Sequence, residues 1–211
     1  MLVSTSPSRT SRAAQTEHPL RDAQIRTILR RRLACAKRLD PTAVIIEEFA
    51  LRRRRVRFDL ALISNILHGY EIKSDLDSLV RLPRQVAVYN DIFDRATLVV
   101  GERYAKRAVR SVPRWWEILV ATTRASGTEL HRLRKGVANP KRSARALAEL
   151  LWADDALRLI ETRRGTRRYR YEPRVVLWKL VSETYTLEEI ASAVRHMLKA
   201  RREIGSGVRY S

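Results

Sequence analysis

Residues 96–100, Ala-Thr-Leu-Val-Val, form a continuous apolar run with no polar alternation. A strand of this kind has to be covered on both faces, which makes it a central strand of a sheet that carries helices on either side. The neighbouring segments supply the rest of such an architecture. Ile25, Ile28, Leu29, Leu33 and Ala36 recur at three- and four-residue spacing over 19–39, which predicts a helix that Asp40-Pro41 stops. Residues 43–51, 56–63 and 68–74 read as three strands, close in sequence and therefore antiparallel, with Ser64-Asn65 as a turn and Arg52 to Arg55 as a charged connection. A helix from about Asp77 to Phe93 follows, kinked or restarted at Pro83. After the apolar run, Arg103 to Ser111 suggests a helix and Trp115 to Ala121 another strand. The order α-β-β-β-α-β-α-β predicts an α/β fold, a mixed sheet flanked by helices.

Beyond Thr122 the strand signals stop. Residues 124–141 look polar, basic and loop-like, and short helices follow at 143–151, 154–161, 174–183 and 187–202. Ser143 and Asp154 or Asp155 are candidate caps, and Thr186 with Glu189 forms a capping-box pair. Arg163 to Arg170 reads as a basic loop or hairpin between two of these helices. The expected organisation is a flexible basic arm at 1–18, an α/β core at 19–123 and a basic C-terminal helical appendage at 124–211.

Charge narrows the partner. The chain has 43 Lys+Arg against 23 Asp+Glu, a formal net charge of +20 on 211 residues. The excess is spread evenly, with 23 basic and 13 acidic residues in 1–123 and 20 and 10 in 124–211. This points to a polyanion, nucleic acid first and DNA ahead of RNA. No apolar run reaches the length of a transmembrane helix and the first 18 residues have no apolar core, so neither a membrane span nor a secretory signal is expected. The single cysteine, Cys35, cannot form an internal disulfide and reads as a small buried hydrophobe on the first helix. A reducing, cytoplasmic setting fits.

One set of residues carries chemistry. Asp59 lies in the second strand, and Glu71 and Lys73, two apart in the third, project from one face. Phe58, Leu60 and Leu62 are expected on the face of the second strand opposite Asp59. The turn folds the third strand back beside the second, bringing Asp59 toward Glu71. Two carboxylates and a backbone carbonyl such as that of Ile72 suit Mg²⁺ or Mn²⁺, with Lys73 placed to orient water or neutralise charge. Glu47 and Glu48 face opposite ways on the first strand, and Glu48 is the favoured additional ligand.

Asp59 followed by Glu71-Ile72-Lys73 resembles the D…(D/E)-x-K signature of the PD-(D/E)XK nuclease superfamily, the restriction-endonuclease-like fold. Gln85 and Tyr89, in Gln-Val-Ala-Val-Tyr, resemble the Q-x-x-x-Y motif of its RecB-like branch. The string from His68 to Gly101 is also similar to a group of bacterial and phage proteins assigned to that superfamily. The resemblance implies a metal-dependent nuclease. Asp59 and Glu71 would hold the metal, Lys73 would position the water, and Gln85 and Tyr89 would order the edge of the site. Arg84 and Arg57 are candidate phosphate contacts. Pairing of two copies stays open, as does a non-catalytic reading: a nucleic-acid-binding module, or a regulatory protein of phage or mobile-element origin.

Overall fold

A computed structural model describes residues 19–51, 56–125, 127–165 and 168–204. The arm at 1–18 and the connection Arg52 to Arg55 lie outside the described residues. The molecule is built on one six-stranded mixed sheet in sequential order, with helices on both faces. Helix α1 (Asp22–Leu39) precedes β1 (Val44–Leu51), β2 (Val56–Ile63) and β3 (Leu67–Lys73), which pair antiparallel. Helix α2 (Leu82–Ile92) then crosses to β4 (Arg95–Gly101), parallel to β3. A 3-10 turn at Glu102–Tyr104 and α3 (Ala105–Ser111) lead to β5 (Glu117–Arg124), parallel to β4.

The run at 96–100 is central, as its composition demands. Leu98, Val99 and Val100 have no exposed surface. Leu98 and Val100 point into the larger core, while Val99 points into the smaller one under α1. Helix α1 buries Ile25, Leu29 and Leu33 against that smaller core, with Leu60, Leu62, Tyr70 and Ile72 of the sheet below it. Pro83 sits in the first turn of α2, where its missing N–H costs nothing, so the helix begins there and residues 75–81 remain turns.

Several local expectations are corrected. Residues 127–134 are not a loop: β6 (Gly127–Arg134) pairs antiparallel with β5 through Gly127, at φ 116°, so the sheet runs past residue 123. As an edge strand covered on one face, β6 mixes half-buried Leu130 with charged neighbours and lacks the apolar density of a central strand. Trp115 and Trp116 precede β5 in a turn closed by Trp116 N–H to the Pro113 carbonyl, and both are core residues. Cys35 is exposed, because α1's buried stripe runs through Leu29 and Leu33 and leaves position 35 on the opposite side. Gly69 allows one close approach in the sheet. It lies within β3, where a Cβ would sit 2.5 Å from the Phe93 ring.

The C-terminal helices share the larger core with α2 and α3. They are α4 (Ala144–Ala148), α5 (Ala153–Arg164), α6 (Arg174–Thr184) and α7 (Leu187–Ile204). Ser143 caps α4 by accepting the Ala146 N–H at 3.2 Å, and the Thr186–Glu189 pair closes the start of α7. Trp152 is the N-cap of α5, and Asp154 and Asp155 fall in its first turn. Among the described residues, no helix is long and apolar enough to cross a membrane.

Candidate functional site

The β2–β3 ladder runs from Ile63–Leu67 to Leu60–Tyr70 and then stops. Past that point the Asp59 carboxylate accepts the Ile72 N–H, Oδ2 to N 2.7 Å. Alternation along β2 breaks at the same place. Phe58 packs against Tyr89 and Phe93 on the α2 side, with ring centroids 4.3 and 4.5 Å away, whereas Leu60 and Leu62 lie under α1. Phe58 therefore does not share a face with Leu60, as the simple period-two pattern had it. The neighbouring strand is irregular opposite this point. Glu48 has φ 52°, and Glu47–Leu60 and Phe49–Phe58 pair on either side of it.

Glu71 has no exposed surface and is held from three directions. Lys73 Nζ donates to Oε1 at 2.6 Å, Gln85 Nε2 donates to the same oxygen, and the Tyr89 hydroxyl donates to Oε2 at 2.9 Å. Gln85 and Tyr89 reach it because i,i+4 spacing puts both on the sheet-facing side of α2. Arg26, from α1, brings a second cation. Its Nη2 lies 3.5 Å from Asp59 Oδ1, its Nη1 donates to the Asp59 carbonyl at 3.1 Å, and its Nε pairs with Asp22 at 3.1 Å.

Burial dominates the electrostatics here. It pushes the Glu71 carboxyl up to about 7, assisted by the Asp59 charge and opposed by Lys73. It also raises Asp59 above the ordinary carboxylate range despite the Ile72 N–H, Lys73 and Arg26. Tyr89, buried beside Glu71, is held well above the usual phenol value.

The structure thus gathers Asp59, Glu71, Lys73, Gln85 and Tyr89 into one cluster and leaves other sequence candidates outside it. Glu48 is exposed and pairs with Arg57 at 3.4 Å, and Glu47 pairs with Arg30. Ile72 contributes its N–H to Asp59 and its side chain to the core under α1. Arg84 is exposed on α2. Arg26 was missed by the sequence reasoning, although its position four residues after Asp22 on α1 was a signal.

Asp59 and Glu71 are the two carboxylates of the cluster. Each carboxylate already accepts protein donors and sits beside a protein cation, and Glu48 faces away. Among the described residues, no group of three or more His, Cys, Asp or Glu side chains could hold a metal ion.

A second polar chain crosses the sheet. The Tyr70 hydroxyl meets His68 Nδ1 at 3.1 Å, and His68 Nε2 meets the Thr97 hydroxyl at 2.8 Å. Thr97 donates to Glu117 at 3.0 Å, and Arg132 closes the chain on Glu117 at 2.9 Å. Burial lowers His68 to about 3, so it is a neutral hydrogen-bonding residue.

Fold and cluster together define a mixed α/β domain with a basic exterior and a closed, buried ionic network at the end of its β2–β3 hairpin. The family model for bacteriophage P4 protein cII matches residues 16–206, and the chain belongs to that family. Protein cII of Enterobacteria phage P4 is 34% identical over 70 residues, covering 33% of this chain and 26% of that protein. The matched stretch thus spans about a quarter of the curated relative's length. No solved structure matches.

The family assignment overturns the expected membership of the PD-(D/E)XK superfamily, and with it the nuclease and hydrolase reading. The short motifs behind that reading have a simpler physical basis. An alternating strand places Glu71 and Lys73 side by side, a helix places Gln85 and Tyr89 one turn apart, and together they satisfy one buried carboxylate.

Proposed function

We propose that this chain is a regulatory protein of phage or mobile-element origin that holds nucleic acid, DNA before RNA, through phosphate contacts and without cutting it. The observation that carries the reading is the outer surface of α1. The helix has six basic residues and one acidic residue. Arg26 and Arg30 are spent on Asp59 and Glu47, but Arg31, Arg32, Lys37 and Arg38 are exposed. Among the described residues, no carboxylate lies within ion-pair distance of those four. Four unneutralised cations on one helix, on a chain of net charge +20, attract a polyanion and release its counterions on contact. Family membership supports the phage setting.

The test is fluorescence anisotropy of labelled DNA and RNA across a KCl series. Wild-type protein is expected to bind with a steep salt dependence. Replacing Arg31, Arg32, Lys37 and Arg38 together by Glu is expected to weaken binding to every sequence and flatten the slope by about 3 to 4. Wild-type protein that binds no nucleic acid at low salt refutes the proposal.

A further inference from the structure

The segment joining α5 to α6 interleaves arginine with tyrosine. Residues 163–174 contain six arginines and one glutamate, with Tyr169 and Tyr171 among them. The two tyrosines have opposite fates. Tyr169 is buried, with the Arg168 guanidinium 4.7 Å and the Arg164 guanidinium 5.9 Å from its ring centre. Arg164 Nη1 also reaches its hydroxyl at 3.3 Å, and the Tyr169 carbonyl accepts the Glu172 N–H at 3.1 Å. Tyr169 therefore anchors the turn. Two residues further on, Tyr171 is 93% exposed, and residues 170–176 are all exposed around it. Gly165, at φ 62°, ends α5, and Pro173 starts α6, so both ends of the loop are tied to helices.

We infer that the turn at residues 169–172 is a binding site for single-stranded nucleic acid, with Tyr171 as a stacking platform for one unpaired base and Arg170 on a flanking phosphate. The inference rests on the nucleic-acid reading above and adds a strand preference to it. An anchored turn that holds one aromatic ring clear of the protein, within a run of guanidinium groups, combines the two features that bind single strands: a π-face for a base and positive charge for the backbone. Among the described residues, no carboxylate lies within ion-pair distance of Arg170. A lone exposed ring is poorly suited to a duplex, whose bases are already stacked on both faces. On an unpaired base it replaces water on both partners.

The test compares wild type, Tyr171→Ala and Tyr171→Trp in anisotropy titrations with labelled oligo-dT, oligo-rU and a blunt DNA duplex. Tyr171→Ala is expected to weaken binding to both single strands about tenfold, with the salt slope and duplex affinity unchanged, and Tyr171→Trp to retain wild-type affinity. Photocrosslinking to a 5-iodouracil oligonucleotide should place the adduct on Tyr171. Tyr171 is exposed, so its truncation removes no core contact, and a thermal melt checks that each variant folds. Equal single-strand affinity of wild type and Tyr171→Ala overturns the inference. So does a tenfold loss on the duplex as well, or wild-type binding to duplex alone, and each of these leaves the general nucleic-acid reading standing. Wild-type protein that binds none of the three probes overturns both.

Discussion

Replacing Lys73 by Met removes the buried cation that faces Glu71 and keeps most of the side-chain volume. Lys73 Nζ is 2.6 Å from Glu71 Oε1, and the two side chains are 8% and 0% exposed. At an effective dielectric constant of about 20, the direct attraction at that distance is roughly 6 kcal/mol, before the cost of dehydrating both groups. Stranding one partner of a buried pair costs about 3–5 kcal/mol. Gln85 and Tyr89 still hydrogen-bond Glu71, which places the expected loss at the lower end, about 3 kcal/mol. For a chain of this size that is about 6–12 °C in Tm.

The loss depends on pH. The folded-state value of Glu71 is raised to about 7 from an ordinary 4.5, so the stabilisation from its raised value is complete below about pH 4.5 and is lost as pH rises toward 7. Without Lys73 the carboxyl ionises at still higher pH, and the decline extends further up. Urea denaturation at pH 5 and pH 8 is the assay. Lys73→Met should cost clearly more at pH 8, where wild-type Glu71 is ionised, than at pH 5, where it is protonated. A loss below about 1 kcal/mol at pH 8, or equal losses at both pH values, refutes the view of the cluster as a closed ionic network.

Two further substitutions probe the sheet. Gly69→Ala drives a Cβ to 2.5 Å from the Phe93 ring and should destabilise by about 1–3 kcal/mol, with recovery in the Gly69→Ala/Phe93→Leu double variant; thermal melts of the three proteins decide it. Thr97→Val keeps the volume of a fully buried residue but leaves His68 Nε2 and the Glu117 carboxylate without their shared hydroxyl, so a loss of about 1–3 kcal/mol is expected in urea titrations.

Much of the architecture was legible because the signals were local. The 3.6-residue stripe of α1, the apolar run of β4 and Pro83 in the first turn of α2 each reflect how a few neighbouring side chains meet water or one another. Glu71 and Lys73 on one face of β3, and Gln85 and Tyr89 on one face of α2, followed from period two and period 3.6. What failed depended on distant partners. Residues 127–134 form a strand because β5 offers an open edge, which no property of Gly127 to Arg134 announces by itself. Phe58 and Leu60 part company because β2 leaves its partner at Asp59. Glu48 looked like a ligand until the strand irregularity turned it toward Arg57.

By itself, the sequence determined the order of elements from α1 to β5, the two-sided burial of the central strand and the excess of positive charge, because periodicity, turn chemistry and net charge are properties of the chain read a few residues at a time. Only the tertiary structure decided what the polar residues are for. It closed Asp59, Glu71 and Lys73 into a network with Arg26, left Arg31, Arg32, Lys37 and Arg38 facing water, and buried Tyr169 while exposing Tyr171 two positions away. A charge or a ring acquires its role from whatever surrounds it in space, and those neighbours come from segments far apart along the chain.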